Sequence, residues 1–136
     1  SRALADVLPG LAPHIAGTSV RVPTQDVSLV DLQVALNRTV EPEDLEEAFR
    51  KAIAEDMGPY VEYTKLPLVS ADFIGNEKSA VVDGLSVMTR GNEVKLLAWY
   101  DNEWAYSCRV IDLVRHIASA KSRVAEEGES WLSRTR

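Results

Sequence analysis

Apolar residues fall along this chain in two rhythms, and the change from one to the other marks out its elements. Across residues 27–36, Ser28, Val30, Leu32, Val34 and Leu36 take every second position, with Asp31, Gln33 and Ala35 between them. A period of two predicts a strand in a sheet covered mainly on one side. Across residues 42–56 the spacing changes to three and four, through Leu45, Ala48, Phe49, Ala52 and Ile53. That is the stripe of an amphipathic helix facing a core. Pro42 suits the first turn, while Glu41, Glu43 and Asp44 put negative charge at the positive end of the helix dipole. Gly58-Pro59 ends it.

The remaining pattern is read in the same way. Residues 3–8 look like the end of a helix stopped by Pro9-Gly10. With no capping residue before them, Ser1 is expected to be a cut in a longer chain. Residues 15–22 predict a short strand broken at Pro23, residues 60–63 a short extended segment, and residues 66–73 an irregular or extended passage around Pro67. Residues 79–83 and 85–89 are β-like, Arg90-Gly91-Asn92 is a turn, and residues 94–100 return as the partner strand of a hairpin. The longest helix then starts at 102 or 103 and runs to 124, with Trp104, Ser107, Ile111, Val114, Ile117 and Ala118 expected on its buried side. From Ala125 the chain is polar, contains Gly128, and is expected to fray. No internal repeat or low-complexity segment interrupts this order.

Strands that follow one another through short turns favour an antiparallel or mixed sheet. The expected fold is therefore α+β: a mixed, largely antiparallel sheet with helices on one face and a long C-terminal helix. Residues 1–124 form the domain and residues 125–136 a polar tail. A length of 136 residues suits one domain with a core, not two. The balance of apolar and charged residues is that of a globular protein. A net charge of −6 argues against nucleic acid or an anionic membrane as the main partner. No apolar run is long enough for a membrane span, and the first residues lack the regions of a signal peptide. The single cysteine, Cys108, fits a reducing cytoplasm. With His14, His116 and one thiol, no metal-ligand cluster is expected.

Two places carry candidate chemistry. In Trp99-Tyr100-Asp101-Asn102-Glu103-Trp104-Ala105-Tyr106-Ser107 an apolar strand pattern runs into aromatic, amide and carboxylate groups just before a helix. Asn102 offers a donor and an acceptor, the pair that reads another planar amide. Equally, Asn102 is a residue type that caps helices. In Val20-Arg21-Val22-Pro23-Thr24 a single cation stands inside an apolar strand pattern. Burying a guanidinium requires an anion or carboxylate, so Arg21 is read either as half of a structural ion pair or as a phosphate ligand. Cys108 sits well past the first turn of its helix, where little lowers a thiol pKa. His14 and His116 have no paired nucleophile nearby in sequence.

Several blocks together resemble the phosphorylating glyceraldehyde-3-phosphate dehydrogenases. They are Arg21-Val22-Pro23-Thr24 with Val27-Ser28-Leu29-Val30-Asp31-Leu32, Leu68-Val69-Ser70-Ala71-Asp72-Phe73 with Ser79-Ala80-Val81-Val82-Asp83, and Trp99 to Ser107 continuing into Cys108-Arg109-Val110-Ile111-Asp112-Leu113. They stand in the family's order and span about residues 1 to 120. The resemblance implies that Arg21 binds a phosphate, of the substrate or the attacking inorganic phosphate. It implies that Asn102 hydrogen-bonds the nicotinamide carboxamide of NAD or NADP, and that Tyr106 flanks the ring. Ala105 stands where the family has glycine, which is expected to narrow the space near the ring.

The same resemblance sets limits. The chain has no Ser-x-x-Cys-Thr-Thr-Asn motif, and Cys108 does not match that nucleophile. Neither histidine matches the family's base, and the glycine-rich dinucleotide turn is missing. No residue of this chain is therefore assigned as catalytic. The implied parent is a cytoplasmic oxidoreductase of glycolysis and gluconeogenesis that converts glyceraldehyde 3-phosphate to 1,3-bisphosphoglycerate, a homotetramer whose sheet forms much of the subunit interface. This portion alone is expected to be inactive. Tyr63 to Ser70 resembles the erythrose-4-phosphate dehydrogenase branch, which leaves that as an alternative. A noncatalytic oligomerisation module is another.

Overall fold

The structure, a computed structural model, describes the backbone of residues 2–134 and the side chains of residues 4–121. The fold is α+β, built on a mixed five-stranded sheet. Its strands are β1 (Ser28–Ala35), β2 (Val61–Thr64), β3 (Ala80–Asp83), β4 (Met88–Arg90) and β5 (Glu93–Tyr100). The order is β1-β5-β3-β2, and β4 also pairs with β5. β5 runs antiparallel to β1, β3 and β4, whereas β2 and β3 are parallel. The hairpin from β4 to β5 turns at Gly91, whose φ of 64° is a conformation that glycine adopts without strain.

Pairing register assigns the faces. Tyr63, Val82 and Ala98 lie on one face, Val81 and Trp99 on the other. Helix α2 (Pro42–Ala52), extended by a π-helical turn at Ile53–Met57, covers the first face, with Phe49 5.9 Å from Tyr63 between ring centroids. The helix starts where its first turn is locally satisfied, since the Asp44 carboxylate accepts the Glu41 N–H at 2.9 Å. On the second face the segment 68–73 folds over the sheet. Phe73 stacks on Trp99 with centroids 5.4 Å apart, and with Val27, Val81 and Leu68 they form the main core cluster. Helix α1 (Arg2–Val7) and a 3-10 turn at Ala12–His14 precede these elements.

Three expectations are corrected. Residues 15–22 form no strand; they run as exposed, unpaired backbone. A period-two pattern becomes a strand only beside a partner that supplies the ladder, and among the described residues none lies beside it. β1 does form, but Leu29, Val30, Leu32 and Val34 stay exposed, so neither face of the sheet is covered at that edge. Helix α3 (Trp104–Arg134) buries Ala105 and half-buries Cys108, Arg109 and Asp112. The stripe expected inside, including Trp104, Ile111, Val114 and Ile117, is exposed. From 113 to 119 every residue is exposed, because none of the described residues covers this stretch of the helix. The helix expected to end at 124 continues as backbone to Arg134, and the side chains of the expected polar tail over 125–136 lie outside the described residues.

Candidate functional site

β5 ends at Tyr100, and the next residue turns the chain into α3. Asp101, only 1% exposed, does the turning. Its Oδ1 accepts the backbone N–H of Glu103 at 2.9 Å and of Trp104 at 2.7 Å. Its Oδ2 accepts the N–H of Gly75 at 2.8 Å, tying in a turn where Gly75 has a φ of 80°. Burial alone would raise the Asp101 pKa. The N–H donors of Trp104, Gly75 and Glu103, with a contact from Asp26, outweigh burial and hold it below the ordinary Asp value. Asp101 is therefore the helix cap, and the capping reading of Asn102 is corrected. Sequence reasoning passed over Asp101, although an Asp immediately before the helix start expected at 102 is itself a cap pattern.

Relieved of capping, Asn102 is exposed at the surface of this corner. Its Oδ1 accepts a hydrogen bond from Ser28 Oγ at 3.1 Å, and its Nδ2 points to Glu103 Oε1 at 3.4 Å. Ser28 opens β1 opposite Tyr100, the last residue of β5, so the sheet register itself brings it within reach of Asn102. The backbone before Ser28 is strained. Val27 is buried at φ 73°, a left-handed conformation that a β-branched side chain rarely takes. Two things hold it there: the hydrogen bond from Val27 N to Asp26 Oδ1 at 2.7 Å, and packing against Phe73 and Val81.

Tyr106 lies in the first turn of α3 and is 70% exposed. Ala105 is buried, so its methyl fills the interior of the fold. Arg109 clamps the same helix down. It donates to Asp112 at 2.9 Å and to Ser79 at 3.0 Å, and its guanidinium lies 4.8 Å from the Tyr60 ring centroid. Arg21 is placed differently. It is exposed on the unpaired 15–22 stretch, and among the described residues no hydrogen bond or ion pair joins it to Asn102 or Tyr106. Because Arg21 is exposed, burial demands no partner, and among the described residues the structural ion pair is not formed. Cys108 is a half-buried free thiol, and His14 and His116 are exposed. Among the described residues no helix is long and apolar enough to cross a membrane.

This α+β domain, with a capped strand-to-helix corner presenting an amide and a tyrosine, matches a family model. Residues 1–102 fit the glyceraldehyde 3-phosphate dehydrogenase C-terminal domain, and the chain belongs to that family. Asn102 is the last matched residue, and Tyr106 lies beyond it. The chain is similar to glyceraldehyde-3-phosphate dehydrogenase 2 of Bacillus subtilis (strain 168), 49% identical over 120 residues, which are 88% of this chain and 35% of that protein. It is similar to glyceraldehyde-3-phosphate dehydrogenase of Atriplex nummularia, 41% identical over 125 residues, 91% of this chain and 35% of the relative. Glyceraldehyde-3-phosphate dehydrogenase 2 of Staphylococcus aureus (strain Mu50 / ATCC 700699) is 46% identical over 120 residues, 88% of this chain and 34% of the relative. The chain thus spans about a third of the length of these relatives.

Proposed function

We propose that this chain supplies the phosphate-binding and nicotinamide-reading part of a phosphorylating, NAD(P)-dependent glyceraldehyde-3-phosphate dehydrogenase, a cytoplasmic homo-oligomer. Asn102 carries the reading. It is an exposed carboxamide on a rigid corner, freed from capping by Asp101, in a segment the family model covers. Its donor and acceptor fit the carboxamide of a nicotinamide ring, and Tyr106 offers an aromatic face nearby in sequence. When bound, the nicotinamide accepts a hydride from the substrate. Arg21 supplies a planar, permanently charged fork for a phosphate, of the aldehyde substrate or of the inorganic phosphate that attacks the acyl group.

In this reading the thiol nucleophile and its base come from outside these 136 residues, so the chain alone is inactive. The purified chain is expected to give no aldehyde-dependent NAD(P)H; measurable turnover would overturn that. A chimera in which this chain replaces the matching 120 residues of the Bacillus subtilis relative is expected to turn over glyceraldehyde 3-phosphate. Loss of that turnover in Asn102→Ala and Arg21→Gln chimeras is the expected second result. Preference of the chimera for erythrose 4-phosphate would move the assignment to that substrate.

A further inference from the structure

We propose that Ser28 and Glu103 are positioning residues that hold the Asn102 carboxamide in one of its two flips, so that an amide ligand is read in one orientation. The proposal rests on the reading of Asn102 as the nicotinamide contact. A carboxamide on a bare surface can rotate by half a turn and exchange its donor for its acceptor. Here the two ends have different neighbours. Glu103 Oε1, 3.4 Å from Nδ2, is a carboxylate oxygen that only accepts, so it selects the amide nitrogen. Ser28 Oγ, 3.1 Å from Oδ1, is able to donate or accept, and with the nitrogen turned to Glu103 it donates. Glu103 therefore selects the flip, and Ser28, donating to the oxygen that this flip presents, steadies it.

Both are backed by structure that does not itself meet the ligand. Asp101 and Gly75 fix the backbone of the corner. The β1–β5 register and the left-handed Val27 fix where Ser28 begins. One lone pair of Oδ1 and one N–H of Nδ2 then remain for a ligand. A planar primary amide pairs with them in one sense only, because the reversed sense sets donor against donor. The ring attached to that amide therefore presents one chosen face.

The flip is read directly by nuclear Overhauser contacts of the Asn102 side-chain amide protons in the labelled 136-residue chain. They are expected to contact the Glu103 side chain and not the Ser28 β-protons. Glu103→Gln, which is able to donate or accept, should let Ser28 contacts appear. Ser28→Ala should lower the order of the Asn102 amide, and Ser28→Thr should restore it. Protection of the Gly75 and Trp104 amides reports that the corner stays folded in each variant. In the chimera, Ser28→Ala should raise the cofactor KM about fivefold, the worth of one hydrogen bond, with a smaller change in kcat. It should also reduce the facial selectivity of transfer from deuterated cofactor, and Ser28→Thr should return both. Contacts from the amide protons to Ser28 in the unsubstituted chain would overturn the proposal. So would an Asn102 amide indifferent to both substitutions, or facial selectivity untouched in the chimera. An inactive unsubstituted chimera would overturn the enzymatic reading, while the amide contacts still decide the positioning role.

Discussion

At the corner formed by Asp26, Val27, Ser28 and Asp101, the chain supplies its own partners. Three backbone N–H groups end on one buried carboxylate, a strained valine is held by core packing, and an exposed amide is held at both ends. Residues 15–22 are the opposite case: they carry Arg21 but gain neither a strand partner nor a salt bridge among the described residues. Both stretches belong to the family match. The difference teaches that membership of a family fixes which residues a segment carries, whereas the ladder and packing within the chain decide which of them it can hold in place. Rigid presentation of Asn102 follows from residues 26–28, 75 and 101–104. Among the described residues, no hydrogen bond or ion pair holds Arg21 in one place.

If the corner stands on the core beneath it, emptying that core should have the largest effect. Phe73 is 2% exposed and stacks on Trp99 directly under Val27. Phe73→Ala is expected to lower stability by about 3–5 kcal/mol, the usual loss for a buried aromatic. Urea denaturation followed by Trp fluorescence measures it. A loss below about 1 kcal/mol would mean that the corner is held by its hydrogen bonds alone, which would break half of the comparison.

Asp101 is the next test. Asp101→Ala removes a helix cap and leaves the Gly75 N–H without its acceptor, so a loss of about 2–3 kcal/mol is expected. The pH dependence has a definite sign. The folded pKa of Asp101 lies below its ordinary value of 3.8, so its contribution is present above that value and is lost as the pH falls through the folded pKa. Acid titration of stability from pH 6 downward should show a limb below about pH 4 that is shallower in Asp101→Asn. An unchanged limb would assign acid sensitivity to other carboxylates.

These two residues also explain what was legible in the sequence. β1, α2 and the β4–β5 hairpin were readable because periodicity, Pro42 and Gly91 act locally. The amide was readable as chemistry, but not its neighbour's job. Asp101 and Asn102 are adjacent and both suit a cap; the choice depends on where β5 stops and on Gly75, 26 residues away. Likewise, the apolar rhythms of residues 15–22 and of α3 are real, yet periodicity says only that a face wants covering. It cannot say whether the covering surface lies within these residues. Ala105, Cys108 and Arg109 became the inner side of α3, where Tyr60 and Ser79 stand opposite Arg109.

A finer probe of the corner compares two substitutions of Val27. Val27→Gly removes the φ strain of about 1–3 kcal/mol and also removes buried apolar surface of similar worth. Val27→Ala removes packing and keeps the strain. Thermal unfolding should therefore rank Val27→Gly as the milder change, within about 1 kcal/mol of the parent, and Val27→Ala as the harsher by a further 1 kcal/mol or so. The reverse ranking would mean that the left-handed backbone is not strained in this setting.

The smallest effect is expected at Arg21, and its smallness is the point. An exposed guanidinium on unpaired backbone has little to lose, so Arg21→Gln should leave the stability of the 136-residue chain within about 0.5 kcal/mol. The same substitution in the chimera, where a neighbour is available, should raise the KM for phosphate sharply by removing the charged fork. A stability loss above 1 kcal/mol in the isolated chain would show that Arg21 already has a structural partner there. The contrast between a self-sufficient corner and a dependent arginine would then fail, and the ion-pair reading of Arg21 would return.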